Sequence, residues 1–357
     1  MGKTRLKLAL GCLLLAGACA REEIAPARFD ADDCRHLMLT DAVSGAEIVG
    51  AEDLALDRER GRLFISAYDR RAAEKAARQN KGAPPSGGLY VVGLDALFDA
   101  TADSVAVSPL AAPADFAGGL RPHGVSYDAA NHELVFINRA YARQGRKWKM
   151  TPELLRVGAN GEAFVGAPTP AHCAANDVAA NGEGVVTSFD HGKCGWSAGV
   201  ENVFGLKRSG VASDDGGVYA RARFANGVEN APDGGVIVAA TREKAILSLK
   251  RGGDGYVEIA RVKTPGGPDN LSLTDDGGIV AAVHPSLTKL ALTRKYGIGR
   301  APSRIVEADM ATGAVDILVD DPKGKIFSAA TSAVMTAKGL IAGSVTDKGL
   351  LICKAGE

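Results

Sequence analysis

The chain has no surplus of either charge, because 42 lysines and arginines balance 42 aspartates and glutamates among its 357 residues. Proteins that bind nucleic acid or an anionic bilayer through electrostatics carry an excess of basic residues. We therefore expect neither nucleic acid nor an anionic membrane surface as a partner. Cysteine is scarce as well, and none of the six cysteines has the C-x-x-C spacing of common structural zinc sites.

Long apolar runs are also missing, apart from one near the N-terminus. Residues 8–18 are apolar and follow three basic residues. This run is too short for a comfortable membrane span, and its flanks are typical of an export signal. We predict an export signal over residues 1–20 and a short linker over 21–33, and we leave both out of the folded domain.

Two forms of export stay open. Small residues permit signal-peptide cleavage after Ala18 or Ala20. The sequence L-A-G-A-C at 15–19 also resembles a bacterial lipobox, with the leucine one place too far upstream. The protein is therefore predicted to be periplasmic, secreted or lipid-anchored at the bacterial envelope. A membrane is expected as a partner only through a lipid at Cys19.

What the sequence does contain is a repeat. A polar pair, a strand, a tight turn and a second strand follow one another five times, and a sixth copy at 332–342 lacks the acidic or asparagine head. Repetition at this spacing is typical of a propeller or solenoid, so we predict an all-β fold. No linker interrupts the repeats, which indicates one domain over 34–357. The five heads are Glu52-Asp53, His123-Gly124, Asn176-Asp177, Asn226-Gly227 and Asp269-Asn270.

The copies are separated by insertions of irregular sequence. They occupy residues 71–88, 141–152 and 287–302, and the first is rich enough in alanine, lysine and arginine to form one helix. We interpret all three as loops over one mouth of the repeat structure, where binding commonly occurs. Ordinary surface loops are the alternative.

The heads predict a cation site. Carboxylates and amides at one point of successive repeats converge on a common axis, and such mixed oxygen sets suit calcium better than magnesium or zinc. Five residues provide these side-chain oxygens: Glu52, Asn176, Asn226, Asp269 and Asn270. Neighbours on a strand point in opposite directions, so Asp53 and Asp177 are not expected at this ion. They either hold a second ion deeper in the channel or cap backbone groups.

Export also changes the interpretation of the cysteines, because an oxidising compartment favours disulfides. Four cysteines follow the signal, and they allow three pairings. A bond between Cys34, before the first repeat, and Cys353, after the last strand, would join the first and last blades of a propeller. Cys173 and Cys194 flank the third repeat and either pair or stay as buried thiols.

Six short motifs together suggest a family. The chain resembles the paraoxonase/arylesterase family, within the wider group of calcium-dependent six-bladed propellers that includes gluconolactonases, over residues 34–353. No single motif is diagnostic, but their order is specific. The motifs are G-A-E-D-L at 50–54, P-H-G-V-S at 122–126, N-D-V at 176–178, F-A-N-G-V at 224–228, P-D-N-L-S at 268–272 and V-H-P at 283–285.

The resemblance implies a six-bladed propeller with two calcium ions, closed as a ring by its N- and C-terminal strands. By this resemblance the five head residues bind a catalytic calcium ion. Asp53, Asp177 and the backbone carbonyl of Val125 match the ligands of a structural one. Cys34 and Cys353 match the disulfide that joins the chain ends. His123 matches the proposed general base, while Asp190, His191 and His284 match positions near the central site, so His191 and His284 are further catalytic candidates.

One departure from the family pattern concerns the base. A second histidine follows the asparagine of the second repeat in paraoxonases, whereas Arg139 follows Asn138 here. An arginine cannot relay a proton at neutral pH. If His123 acts as a base, its helper is another residue, and His191 is the candidate.

Two functions are carried forward. The first is a calcium-dependent hydrolase of lactones or aryl esters, in which water attacks a metal-polarised carbonyl and no serine nucleophile takes part. The second is a non-catalytic exported propeller that keeps calcium for stability and binds a ligand at the channel mouth, which Arg139 favours. The expected partner is a small lactone or ester, and the oligomeric state stays open.

Overall fold

The structure is a computed structural model that describes residues 25–80, 82–110, 118–161 and 164–355. The predicted export signal, with Cys12 and Cys19, lies outside these residues, as do residues 21–24 of the predicted linker. None of the described helices is long and apolar enough to cross a bilayer.

Strands account for most of the described elements, as the repeat pattern predicts. The first nine are β1 (Cys34–Asp41), β2 (Ala51–Asp57), β3 (Arg62–Ala67), β4 (Gly88–Gly93), β5 (Ser104–Pro109), β6 (Pro122–Asp128), β7 (Glu133–Gln144), β8 (Lys147–Gly158) and β9 (Thr169–Pro170). The next eight are β10 (Ala175–Ala180), β11 (Val185–Phe189), β12 (Ser209–Ser213), β13 (Val218–Ala222), β14 (Ala225–Asn230), β15 (Val236–Ala240), β16 (Ala245–Gly252) and β17 (Gly255–Lys263). The last seven are β18 (Gly267–Leu273), β19 (Ile279–His284), β20 (Ser303–Ala308), β21 (Val315–Asp321), β22 (Ala330–Thr336), β23 (Gly339–Ser344) and β24 (Leu350–Lys354).

The strands form four sheets. Two sheets have four strands each, in the orders β6-β7-β8-β9 and β18-β19-β20-β21. The other two have eight, in the orders β2-β3-β4-β5-β1-β24-β23-β22 and β10-β11-β12-β13-β17-β16-β15-β14. Neighbouring strands are antiparallel except where β1 meets β5 and where β13 meets β17. The all-β class is confirmed, and hydrogen bonding groups the strands into four sheets rather than six separate ones.

The strands that begin with the polar heads lie together. β2 contacts β6, β6 contacts β10, and the series continues through β14, β18 and β22 back to β2. These first strands therefore surround a central channel. The hydrophobic core lies outside them, between neighbouring groups of strands: Phe64 of β3 and Phe136 of β7, for example, are fully buried in one cluster.

The chain ends meet in one sheet. β1 pairs with β24, and Cys34 lies directly opposite Cys353. The two cysteines are bonded, with Cα atoms 4.0 Å apart, which confirms the predicted pairing. Cys173 and Cys194 are also bonded, with Cα atoms 6.1 Å apart, so the alternative of two buried thiols is wrong.

Four helices interrupt the described strands: α1 (Arg70–Gln79), α2 (Leu94–Phe98), α3 (Trp196–Phe204) and α4 (Leu287–Tyr296). The carboxylate of Asp69 caps α1 by accepting from the amide of Ala72 over 2.8 Å. α1 confirms the helix predicted in the first insertion, and it contacts α4, which occupies the third. Short 3₁₀ turns cover Ala31–Asp33 and Thr241–Glu243.

The second insertion differs from its predicted form. Residues 141–152 are not a loop, because β7 and β8 continue through them as a long hairpin with paired residues up to Gln144 and Lys147. The guanidinium of Arg143 lies 4.8 Å from the centre of the Trp148 ring across this hairpin. Such a cross-strand contact favours a paired ribbon over an irregular loop.

Candidate functional site

The polar heads lie at irregularities in the inner strands. In each first strand the pairing register shifts at the head, for example between Ala51 and Asp53 in β2 and between Ala225 and Val228 in β14. A bulge of this kind changes the direction in which a side chain points. The same shift occurs between Ala330 and Ser332 in β22, so Thr331 occupies the head position of the sixth copy.

Four of the five predicted calcium ligands line one cavity of about 360 Å³: Glu52, Asn176, Asn226 and Asp269. The fifth, Asn270, does not line it and is only 1% exposed. Its side-chain amide donates to the backbone carbonyl of Glu52 over 3.2 Å. The structure therefore brings all five predicted residues to one end of the channel.

The amide nitrogens of this set are occupied, and two of the amide oxygens are not. The Nδ2 group of Asn226 donates to the carboxylate of Asp269, and that of Asn176 donates to Asp190 over 3.3 Å. Among the described residues, the Oδ1 atoms of Asn226 and Asn270 are buried without a hydrogen-bond partner. A buried acceptor without a donor costs about 1–3 kcal/mol. A hard cation satisfies such oxygens, so these residues fit calcium.

Carboxylates and histidines alone would not have identified this site. Within the described ranges, no three His, Cys, Asp or Glu side chains are arranged to hold a metal ion. Only Glu52 and Asp269 of the five residues are carboxylates, and the other three ligands are amides. Amide oxygens are ordinary calcium ligands and poor zinc ligands.

The three predicted catalytic histidines occupy different positions. His191 and His284 line the cavity, whereas His123 is fully buried behind it. His123 Nδ1 lies 2.5 Å from Glu52 Oε2, and His284 Nε2 lies 2.5 Å from Asp269 Oδ2. His191 Nε2 contacts the side-chain amide of Asn202 at 2.6 Å. His123 and His284 thus orient carboxylates, whereas His191 lines the cavity without a carboxylate contact among the described residues.

Burial decides the protonation of His123. It lowers the pKa of His123 to about 3, and the nearby positive charge of Arg139 acts in the same direction, against the charge of Glu52. His123 is therefore neutral at pH 7. Burial would raise the pKa of Glu52, but its contact with His123 and the charges of Arg70 and Arg139 hold it below its usual value. Glu52 is an anion facing the cavity.

The residues predicted for a second ion line a different cavity. Asp53, Asp177 and Val125 line a space of about 180 Å³, together with Glu229. Burial, and then the charge of Asp177, raises the pKa of Asp53 well above its usual value, so the two carboxylates lie close together. Asp53 and Asp177 thus lie in a different cavity from Glu52, Asn176, Asn226 and Asp269.

Both carboxylates also cap backbone groups, which was the alternative to a second ion. Asp53 accepts from the amide of Val125 over 2.8 Å. Asp177 accepts from the amide of Val228 over 2.8 Å. Each bond joins one inner strand to the next, because β2 precedes β6 and β10 precedes β14 in the ring. A second ion remains a proposal beside this structural role.

A G-x-S-x-G sequence, typical of serine hydrolases, occurs at residues 195–199 and was overlooked in the prediction from sequence. Ser197 is the second residue of α3, and its hydroxyl donates to the carbonyl oxygen of Cys194 over 3.0 Å. A nucleophile elbow joins a strand directly to a helix. Here the loop at 190–195 intervenes, and no described histidine contacts Ser197. The geometry does not support a serine nucleophile.

Arg70, Arg242, Arg294 and Thr331 are among the residues of the first cavity that the prediction from sequence missed. Thr331 is the sixth head, and its hydroxyl donates to the carbonyl of Glu52 over 2.7 Å. The register of the sixth copy was the signal for it. Arg70 and Arg294 belong to the helices of the first and third insertions, so both helices contribute to the cavity lining, and the third insertion is a helix rather than the predicted loop.

Comparison with known proteins shows similarity in fold but not in sequence. No family model matches the sequence, and no curated protein is similar to it. A solved structure proposed to be a gluconolactonase has a TM-score of 0.51 at 15% identity, covering 91% of this chain and 93% of that one. A gluconolactonase from Xanthomonas campestris has a TM-score of 0.48 at 15% identity, over 92% of this chain and 98% of that one.

A third match is a catalytically inactive variant of virginiamycin B lyase from Staphylococcus aureus, with a TM-score of 0.46 at 9% identity over 89% of this chain and 99% of that one. At these identities a likeness shows the fold alone, and only the first of the three is close enough to carry that conclusion. The chain shares its overall fold with that first structure. This shared fold does not single out the paraoxonases and arylesterases.

Proposed function

We propose that the protein is a calcium-dependent hydrolase of small lactones. One observation carries the proposal: among the described residues, the buried amide oxygens of Asn226 and Asn270 lack a donor, and the carboxylates of Glu52 and Asp269 line the cavity at the same end of the channel. Lactone hydrolysis is also the activity proposed for the solved structure that shares this fold. Aryl esters are a second substrate class to test.

We infer that the scaffold is a six-bladed propeller. Each inner strand in the ring begins a run of antiparallel strands, and the eight-stranded sheets each contain two such runs. The parallel pairs β1/β5 and β13/β17 join blades at their outer edges. In this interpretation the last blade combines β22, β23 and β24 with β1, which closes the ring.

Calcium bound at this site would polarise an ester carbonyl and stabilise the negative charge that develops on its oxygen. Glu52, Asn176, Asn226, Asp269 and Asn270 would hold it, with His123 and His284 orienting the two carboxylates. His191 lines the cavity, and when the Asn202 side-chain oxygen accepts from its Nε2–H, its Nδ1 can take a proton from the attacking water. This gives His123 a positioning role and assigns the general base to His191.

A non-catalytic binding function is the second candidate. Arg139 replaces the expected second histidine, is only 4% exposed, and its Nε is buried without a hydrogen-bond partner among the described residues. His123 does not reach the cavity either. Both observations argue against a proton relay of two histidines in this protein. A protein that keeps the calcium site and the cavity but lacks that relay would bind a ligand without turnover.

The two disulfides favour an oxidising compartment. We propose that the protein is exported, either as a cleaved secretory protein or with a lipid at Cys19. A small-molecule lactone is the proposed partner in either case.

The test is hydrolysis of a panel of γ- and δ-lactones and aryl esters by the purified protein, with calcium and with a chelator. Lactone turnover that disappears with the chelator and returns with calcium supports the hydrolase. Asp269→Ala is expected to abolish that turnover, because it removes a ligand and the partner of His284 together. Tight calcium binding without turnover of any lactone or ester would support the binding function instead.

A further inference from the structure

We propose that the cavity accepts a lactone that carries a carboxylate, and that Arg70 and Arg294 bind this carboxylate. The inference rests on the proposed function of the site and names the substrate class. It follows from how the guanidinium groups at the mouth are arranged and from how few acceptors they have.

Two helices bring the arginines together. Arg70 is the first residue of α1 and Arg294 lies in the last turn of α4, and both line the cavity that contains Glu52 and Asp269. Both arginines contact the carboxylate of Glu74. Arg70 Nε donates to Glu74 Oε1 over 3.1 Å, while Arg294 Nη1 lies 4.0 Å from the same oxygen.

Glu74 cannot neutralise both arginines. Its other carboxylate oxygen accepts from Arg78 over 3.3 Å, so three guanidinium groups share one negative charge. Burial alone would raise the pKa of Glu74, but the charges of Arg70 and Arg294 and the hydrogen bond from Arg70 lower it to about 2. The charge of Arg70, followed by burial, lowers the pKa of Arg294 to about 10. Two like charges therefore face each other without full compensation.

The remaining donors of these arginines have no acceptor within the described part of the chain. Arg70 makes its one side-chain hydrogen bond through Nε, and the 4.0 Å contact of Arg294 is too long for a hydrogen bond. The side chains are only 15% and 31% exposed. A guanidinium presents paired N–H groups that match the two oxygens of a carboxylate.

The charge balance of the cavity points in the same direction. Glu52, Asp190 and Asp269 face Arg70, Arg242 and Arg294 in its lining, three carboxylates against three guanidiniums. A divalent cation at the head residues would leave a positive excess. Arg242 already donates to the carbonyl oxygen of Asn202 over 2.6 Å. Arg70 and Arg294 have more guanidinium N–H groups left to donate, so we assign the substrate carboxylate to these two arginines.

The size and walls of the cavity suit a small aliphatic ring. Its volume is about 360 Å³, and Leu287, Leu290 and Ala291 of α4 provide an apolar part of its lining. Arg70, Arg294 and Glu52 line the same cavity, so one ligand can reach both the arginines and the proposed cation site. A five- or six-membered lactone with a carboxylate on the ring spans both.

Binding is tested first with a lactam that has the shape of the lactone and resists hydrolysis. Calcium-loaded protein is titrated calorimetrically with pyroglutamate and with its neutral carboxamide. We expect pyroglutamate to bind about 10–100-fold more tightly, the range of a hydrogen bond to a charged group. Equal affinity of the wild-type protein for the two probes would overturn the proposal, whatever the variants do.

Variants assign the preference to the arginines. Arg294→Gln is expected to remove it and Arg294→Lys to restore part of it, with melting curves checking that both variants fold. Arg78→Gln is the matched control, because Arg78 contacts the same Glu74 but does not line the cavity. Glu74→Gln should strengthen the preference by releasing both arginines. A preference that survives Arg294→Gln in a folded protein would contradict the assignment.

Kinetics separate this inference from the proposed function. The substrates are 5-oxotetrahydrofuran-2-carboxylate and the corresponding carboxamide, and Arg294→Gln should raise KM about 10-fold or more for the carboxylate alone. Lactone turnover without this preference would overturn the carboxylate site and leave the hydrolase standing. Arginine-dependent binding of pyroglutamate without any lactone turnover would overturn the hydrolase and leave the carboxylate site standing.

Discussion

Substitutions of single residues distinguish side chains that would bind the cation from side chains that only orient its ligands. Asn270→Ala removes a buried amide oxygen that has no donor, and it also removes the hydrogen bond to the Glu52 carbonyl. We expect wild-type protein to melt at a higher temperature with calcium than with a chelator, because an ion that binds only the folded state stabilises it. The variant should lose most of this difference.

A control separates the lost ion from general damage. Asn230→Ala changes another asparagine at the end of an inner strand, whose amide donates to Ala180 O over 3.2 Å and which does not line the cavity. Its calcium-dependent increase in melting temperature should match that of the wild type. An Asn270→Ala protein that calcium stabilises as strongly as the wild type would exclude Asn270 from the ligand set.

The histidines provide a second prediction at this scale. His123 contacts Glu52 and is buried, so His123→Gln should lower activity modestly, by about 10-fold, and weaken calcium binding. His191 faces the cavity, so His191→Gln should lower kcat by about 100-fold, the low end for a positioned base, with calcium binding unchanged. Steady-state kinetics and calcium titrations distinguish the two roles. A reversed pattern would return the base to His123.

The sequence alone predicts which residues form the heads, but not how far along the channel the cavity extends. The repeat register shows that Glu52, Asn176 and Asp269 occupy one level, because identical positions in successive copies face a common axis. It does not show that the cavity stops short of His123, since depth depends on which side chains fill the channel. Arg70 and Arg294 were also beyond reach, because insertions have no repeat register to align them.

At the scale of the element, bulges and glycines together shape the inner strands. A Cβ atom on Gly124 of β6 would lie 2.3 Å from Asp177 Oδ1 on β10, too close for any side chain. Glycine is required here because two inner strands approach each other at the second carboxylate pair. The sequence shows this glycine as part of a repeated pattern, and only the structure shows its reason.

Gly124→Ala is therefore expected to lower the free energy of unfolding by about 1–3 kcal/mol, the usual range for overpacking a filled site. Gly93→Ala is the control, because a Cβ atom there meets nothing within 4 Å and the backbone φ is not positive. Urea unfolding of both variants measures the difference. Equal stabilities would mean that the inner strands can move apart without loss.

The two disulfides constrain different parts of the molecule, one the closure of the ring and the other a loop beside the cavity. Cys34 and Cys353 join residues 319 positions apart and lock β1 onto β24, whereas Cys173 and Cys194 close a loop of 21 positions near Asp190 and His191. A cross-link restricts the unfolded chain more when its loop is longer. The first bond should therefore stabilise the ring, and the second should mainly position the cavity wall.

Replacing both Cys34 and Cys353 with serine should lower the free energy of unfolding by up to about 6 kcal/mol, the limit from chain entropy for so long a loop. The matched double variant of Cys173 and Cys194 should lose about 3 kcal/mol or less and show the larger change in KM. Denaturant unfolding and lactone kinetics measure the two effects. If the first variant is no less stable than the second, hydrogen bonding between β1 and β24 is sufficient to close the ring without the disulfide.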